Sequence, residues 1–234
     1  MNFLLHHEWA LRETGDPVLA AASMLPDLWR MAERRARLGS RHFRLPEGEE
    51  ESPGARGLRH HLTTDRWFHD DPLFTEGEAR AVAALQVAGV RSEKMILFAH
   101  PLWELCLDGA LVRSVGWAST RATLQAARLA VAGAAGTELA EHVGLSRLLP
   151  DAAAREAFVE RLESLWDALE EGRWIGAYTN APGLTECIVR MRQRVGFGDV
   201  DHEDRARIER AIATLEASAD RALSDRLPRP VPAH

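Results

Sequence analysis

Residues 95–112 read MILFAHPLWELCLDGALV. Nearly every position is apolar. The ionisable exceptions, His100, Glu104 and Asp108, recur every fourth residue, so a helix gathers them into one narrow polar stripe. A carboxylate buried in such a segment is costly unless it is paired, hydrogen-bonded or bound to a cation. An imidazole and a carboxylate one turn apart are good ligands for a divalent metal. The upstream stretch HHLTTDRWFHDDP repeats the spacing with His61, Asp65 and His69. Two helices that each offer His-x3-acid suggest one metal site between them. The 95–112 run approaches membrane-spanning length, but three ionisable residues favour a core helix over a span.

Composition narrows the class. The chain has 234 residues, 46% of them hydrophobic, enough for a substantial core. A formal net charge of −6 argues against broad nucleic-acid binding, which needs a basic face. Arg34, Arg35, Arg37, Arg41 and Arg44 form a local basic cluster that suits an acidic partner, although most such runs are simply solvated. Cys106 and Cys187 lack CxxC spacing and sit in apolar helical patterns, so they read as packed, reduced thiols of a cytoplasmic protein. The N-terminus shows no basic segment leading into an apolar signal core.

Helical periodicity dominates, and no strand-period segment, Rossmann glycine signature or P-loop is present. The pattern predicts helices over 2–12 and 17–38, then a flexible loop over 45–56. Another helix covers 57–70 and ends near Pro72. Thr75 and Glu78 form a capping box for a helix over 75–88. Ser92 starts the central apolar helix, with a kink expected at Pro101. Helices follow at 119–132 and 137–147. Asp151 caps an amphipathic helix reaching Glu170, with Phe158, Leu162, Leu165, Trp166 and Leu169 inward. Residues 173–195 hold one or two helices interrupted near Pro182 and Gly183. A last helix runs over 202–223, and 224–234 form a loose tail. The expectation is one all-α domain over 1–223.

Five segments carry a resemblance. The chain opens MNFLLH, then has MLPDL at 24–28, GLRHHLTTD at 57–65, HPLWELCL at 100–107 and WIGAYTN at 174–180, with Met191 and Arg194 beyond. In order and spacing, over roughly 1–196, these resemble the acyl carrier protein phosphodiesterase family, within the helical HD-like metal phosphohydrolases. The resemblance implies an HD-domain-like helical bundle and divalent-metal-dependent cleavage of a phosphodiester. Its partner would be a phosphorylated small molecule or a phosphopantetheine-bearing acyl carrier protein, not a nucleic acid or a membrane.

The departures from the family pattern fall on the chemistry. His100 and Glu104 stand where the family has Asp, Leu105 where it has His, Glu8 where it has an early second His, and His69 where it has the Asp of a Thr-Asp pair. Apart from Leu105, these exchanges trade one ligand for another and move metal preference from Mg2+ toward Mn2+ or Fe2+, with Zn2+ and Ni2+ as alternatives.

The expected ligands are therefore His61, Asp65, His100 and Glu104, with His6 or Asp27 completing the shell. Asp27 is also the expected base that positions or deprotonates water, unless it is a helix cap. Tyr178, Asn180 and Arg194 are the expected substrate contacts. Asp108 ranks below its two stripe-mates. His69, Asp70 and Asp71 read as a polar helix terminus. His69 lies about 80° around the helix from His61. Two other readings stay open: a His/carboxylate iron protein with redox or oxygen chemistry, and a non-catalytic descendant in which the polar residues hold the fold.

Overall fold

A computed structural model describes residues 2–36, 38, 51–132, 147 and 149–226. The described elements are helices: α1 Phe3–Thr14, α2 Pro17–Ala32, α3 Pro53–Asp70, α4 Pro72–Val87, a 3-10 turn Met95–Phe98, α5 Ala99–Val115, α6 Trp117–Val131, α7 Ala152–Glu170, α8 Ile175–Tyr178, α9 Ala181–Arg194 and α10 His202–Arg226. The fold is all-α, and no strand occurs among the described residues. All but the last residue of the helix expected over 137–147, the loop at 45–50, the tail beyond 226 and three arginines of the basic cluster lie outside them.

Several helix starts share one local device. Asp16 accepts hydrogen bonds from the backbone N–H groups of Val18 and Leu19, ahead of Pro17. Asp71 accepts from Leu73 N–H, ahead of Pro72, and Asn180 accepts from Gly183 N–H, with Pro182 in the first turn. An Asp or Asn cap satisfies a free N–H, and proline has none to satisfy. The cap at Asp71 corrects the expected capping box: Thr75 lies inside the helix, its hydroxyl donating back to the Asp71 carbonyl. Asp151 caps α7 as its sequence pattern suggests, accepting from Ala153 N–H.

Other boundaries move for identifiable reasons. Lys94 adopts a left-handed backbone, φ 58°, so no helix can run from Ser92. The regular helix begins at Ala99 instead, which puts Pro101 in its first turn. The missing proline N–H costs no helical hydrogen bond there, and the expected kink loses its cause. α2 stops at Ala32, where Glu33 turns extended, short of the expected residue 38. α3 begins at Pro53, inside the stretch read as loop.

The chain forms two compact units. One comprises Met1–Asn2, Phe68–Trp117 and Gly172–His234, the other Phe3–Trp67 and Ala118–Glu171. In the first, α5 packs against α4, α8, α9 and α10, and α10 also packs on α4 and α9. α5 is apolar on nearly all sides and is buried from Leu102 to Val112, as expected for the central helix of a core. Met95–Val115 is apolar and long enough to cross a bilayer, yet its apolar window is 78% buried within the protein. The thiols behave as packed groups: Cys106 and Cys187 are free, and burial pushes them up to about 12 and about 11. In the second unit α2 packs on α1 and α7. Arg128 of α6 meets Glu163, Asp167 and Glu170 of α7 within 3.0 Å.

Gly77 sets the distance between α4 and α5. A Cβ there would fall 1.8 Å from the Trp103 ring, so only glycine admits the indole. Trp103 Nε1–H then donates to the Leu73 carbonyl at 2.9 Å. The start of α10 is tied down by the buried Asp204. Its carboxylate accepts from Arg91 N–H, from the Ser92 hydroxyl at 2.6 Å and from Arg207.

Burial opposes ionisation of Asp204, but the Ser92, Arg207 and backbone donors outweigh it and hold its pKa at about 2 against an ordinary 3.8. A carboxyl depressed on folding stabilises the fold above its unfolded pKa and loses that contribution as pH falls through the folded one. Asp204→Asn should therefore cost about 2 kcal/mol near neutral pH. Denaturant unfolding of both proteins should show that gap narrowing between about pH 4 and pH 2. A gap that stays constant over this range would contradict the assignment.

Candidate functional site

Two trios of metal-ligating side chains occur among the described residues: His6, His61 and Asp65 in one unit, and His69, His100 and Glu104 in the other. Within each trio the donor atoms all lie within 4.8 Å of one another. The single quartet expected from sequence is thus divided, and His69, set aside as a helix terminus, joins His100 and Glu104.

The first trio rests on a close approach of α3 to α2. A Cβ on Gly57 would fall 2.3 Å from the Leu19 carbonyl oxygen and 2.7 Å from Ala22 Cβ. Without that methyl, the helices touch. One turn further along α3, His61 Nδ1 lies 2.8 Å from the Ser23 carbonyl oxygen. A carbonyl only accepts, so Nδ1 is the donor, which leaves Nε2 as the nitrogen a metal would use. Pro26 leaves the carbonyl of Ala22, the residue before Ser23, without its helical donor.

His61 is 5% exposed and His6 0%, and their ring centroids are 4.0 Å apart. Asp65 Oδ1 is 4.0 Å from His6 Nε2, with its side chain 40% exposed. Two buried imidazoles and one half-exposed carboxylate can hold a divalent cation with a side open to solvent. His7 is also buried, and burial lowers its pKa against the opposing pull of Glu8, but it belongs to neither trio. His60 turns away to Glu13, at 2.9 Å.

The second trio lies between the end of α3 and the start of α5. His69 Nε2 and His100 Nε2 converge on one oxygen, Glu104 Oε1, at 3.5 and 3.4 Å. The other nitrogen of His100, Nδ1, faces Glu78 Oε1 at 3.7 Å. Phe74 packs edge-on against both imidazoles, with centroids 4.6 Å away in each case. Burial opposes ionisation of Glu104, but attraction to positive charge and the polar contacts with His100 and His69 hold its carboxyl well below the usual range. Asp108, the third member of the polar stripe, is fully buried in α5.

The other expected residues lie in different settings. Asp27 is half-buried inside α2 and is not the cap of that helix, a role Asp16 takes. It sits one turn beyond Ser23, on the same helical face. Tyr178 is buried at the end of α8, its carbonyl against Gly109. The Asn180 side chain caps α9, a structural task that sequence reading assigned to substrate. Arg194 is exposed at the end of α9. Glu78 escaped sequence reading because its partner is 22 residues away on another helix.

No family model, curated protein or solved structure matches the chain.

The packing at Gly57 generates a prediction. Gly57→Ala should force α3 off α2 and cost about 1–3 kcal/mol by overpacking, despite the better helix propensity of alanine. It should also weaken metal binding at His61, whose orientation depends on Ser23. Gly176→Ala is the control, because nothing lies within 4 Å of a Cβ there. Thermal unfolding and a metal titration of both variants check this; equal behaviour of the two would show that Gly57 does not set the site.

Proposed function

We propose that this protein is a divalent-metal-dependent phosphoester or phosphodiester hydrolase with an HD-like helical core, its chemistry centred on His6, His61 and Asp65. The observation that carries the reading is the His61–Ser23 hydrogen bond. A ligating imidazole characteristically gives its second N–H to a backbone carbonyl, which fixes its tautomer and orientation, and His61 has that arrangement before any metal arrives. A bound Mn2+ or Fe2+ would lower the pKa of a coordinated water and polarise the phosphoryl group. His6 and His61 supply neutral donors from a dry interior. The half-exposed Asp65 supplies charge and can adjust its position.

Asp27 is the proposed base. Gly57 meets Leu19, and His61 meets Ser23. Carried one turn further, the same offset would bring Asp27 to the level of Asp65. A carboxylate at that level can orient or accept a proton from water beside the ligands. The substrate class rests on the resemblance of residues 1–196 to the acyl carrier protein phosphodiesterases. It points to a phosphorylated small molecule or a phosphopantetheine-bearing acyl carrier protein in the cytoplasm, with Arg194 available to neutralise phosphate.

A second reading is supported by the same donors. Two histidines and one carboxylate also form the facial triad of non-haem Fe(II) oxygenases.

The test is a phosphoester panel with Mn2+, Fe2+, Mg2+ and Zn2+, run on metal-verified protein. Turnover should be metal-dependent and lost in His6→Ala/His61→Ala. Asp27→Asn should retain metal while turnover falls about 10²–10⁴-fold. Equal activity in that variant would remove Asp27 from the base role. No turnover by protein with its metal bound would overturn hydrolysis, and oxygen consumption by the Fe2+ form would then support the oxygenase reading.

A further inference from the structure

We infer that His69, His100 and Glu104 form a second, independent metal centre for a four-coordinate ion of the Zn2+ class, with Glu78 orienting His100. The inference rests on the spacing of the donors and does not require the first trio to be hydrolytic.

The donors converge from two helices. Two imidazole nitrogens approach one carboxylate oxygen at 3.4 and 3.5 Å, and the three donor atoms all lie within 4.8 Å of one another. A tetrahedral ion with ligand bonds of about 2.05 Å holds neighbouring donors about 3.3 Å apart. An octahedral ion with similar bonds, as for Mg2+, holds them about 2.9 Å apart. The two nitrogen–oxygen separations lie nearer the tetrahedral edge.

The donor chemistry agrees. Two imidazoles and a carboxylate suit Zn2+ and its neighbours better than Mg2+ or Ca2+, which prefer oxygen. Glu104 is 3% exposed, so it offers an anionic donor from inside the protein. Glu78 faces the distal nitrogen of His100 at 3.7 Å. That is longer than a hydrogen bond; closing it on metal binding would give the carboxylate–histidine arrangement that fixes a ligand's tautomer. The exposed sides of both rings leave the fourth position to water, so the ion can exchange with solution.

Titration of the full-length apoprotein with Co2+, followed by Zn2+ displacement, tests the centre. Co2+ is the probe because four-coordinate Co2+ absorbs intensely in the visible. Wild type should bind two equivalents. His69→Ala/His100→Ala should bind one and lose the tetrahedral visible band, with its circular dichroism unchanged. Glu78→Gln, which leaves the three ligands in place, should keep both equivalents and bind this one about tenfold more weakly.

Two equivalents bound by His69→Ala/His100→Ala would overturn the centre. So would a single wild-type equivalent that survives in that variant and disappears in His6→Ala/His61→Ala, a result that leaves the hydrolytic reading standing. A single equivalent with the opposite pattern would support this centre and overturn the hydrolytic one. Unchanged affinity in Glu78→Gln would overturn the orienting role of Glu78.

Discussion

Burial of ionisable groups is the constraint around which this chain is arranged. Glu104 sits in a helix whose other faces are nearly all apolar, and it is almost inaccessible to water. An unpaired carboxylate there would cost several kcal/mol or give up its charge. It does neither: positive charge nearby and histidines converging from two helices outweigh the burial and hold its carboxyl well below the usual range. The same constraint acts on His6 and His61. Both are buried, and His61 meets it by donating to a main-chain carbonyl. Polar groups kept inside in this manner limit how the surrounding helices can pack, because each must find its partner.

Those partners are reached through missing side chains. Gly57 lets the backbone of α3 lie directly against α2, and Gly77 gives the Trp103 indole a place against α4. Neither glycine touches a candidate metal ligand. Each nevertheless sets an interhelical distance, and each site depends on that distance. His61 reaches Ser23 only if α3 is close. Phe74 and Glu78, on α4, flank His100 because α4 is held against α5 through Gly77 and the Trp103–Leu73 bond. The metal-ligating geometry is therefore a packing property as much as a chemical one.

What could be read in the sequence follows the range of the interaction. All-helical structure was legible because a 3.6-residue period is local. The Asp151 cap was legible for the same reason. The Asp71–Pro72 start was obscured by Thr75 and Glu78, which satisfy the capping-box pattern one turn later while serving other purposes. The start of α5 was obscured because Ser92 is an adequate cap by composition, whereas its hydroxyl is engaged by Asp204, 112 residues away. For the candidate ligands, spacing along one helix paired His61 with Asp65 and His100 with Glu104. Spacing could not tell which pair meets which third residue, since that depends on helix packing. His69, turned about 80° from His61 on α3, faces a different neighbourhood and meets His100 and Glu104 there, a grouping that depends on α5 and so is not visible along α3 alone.

The two trios share a donor set and differ in where the protein places its charge. In the first, the imidazoles are buried and the carboxylate meets solvent; in the second, the carboxylate is buried and the imidazoles meet solvent. The difference has chemical consequences. A half-exposed Asp65 has room to shift if a ligand arrives, whereas the buried Glu104 is held in place by its surroundings. The same three donor types therefore offer a mobile anionic group in one trio and a fixed one in the other, and burial, not donor identity, makes the difference.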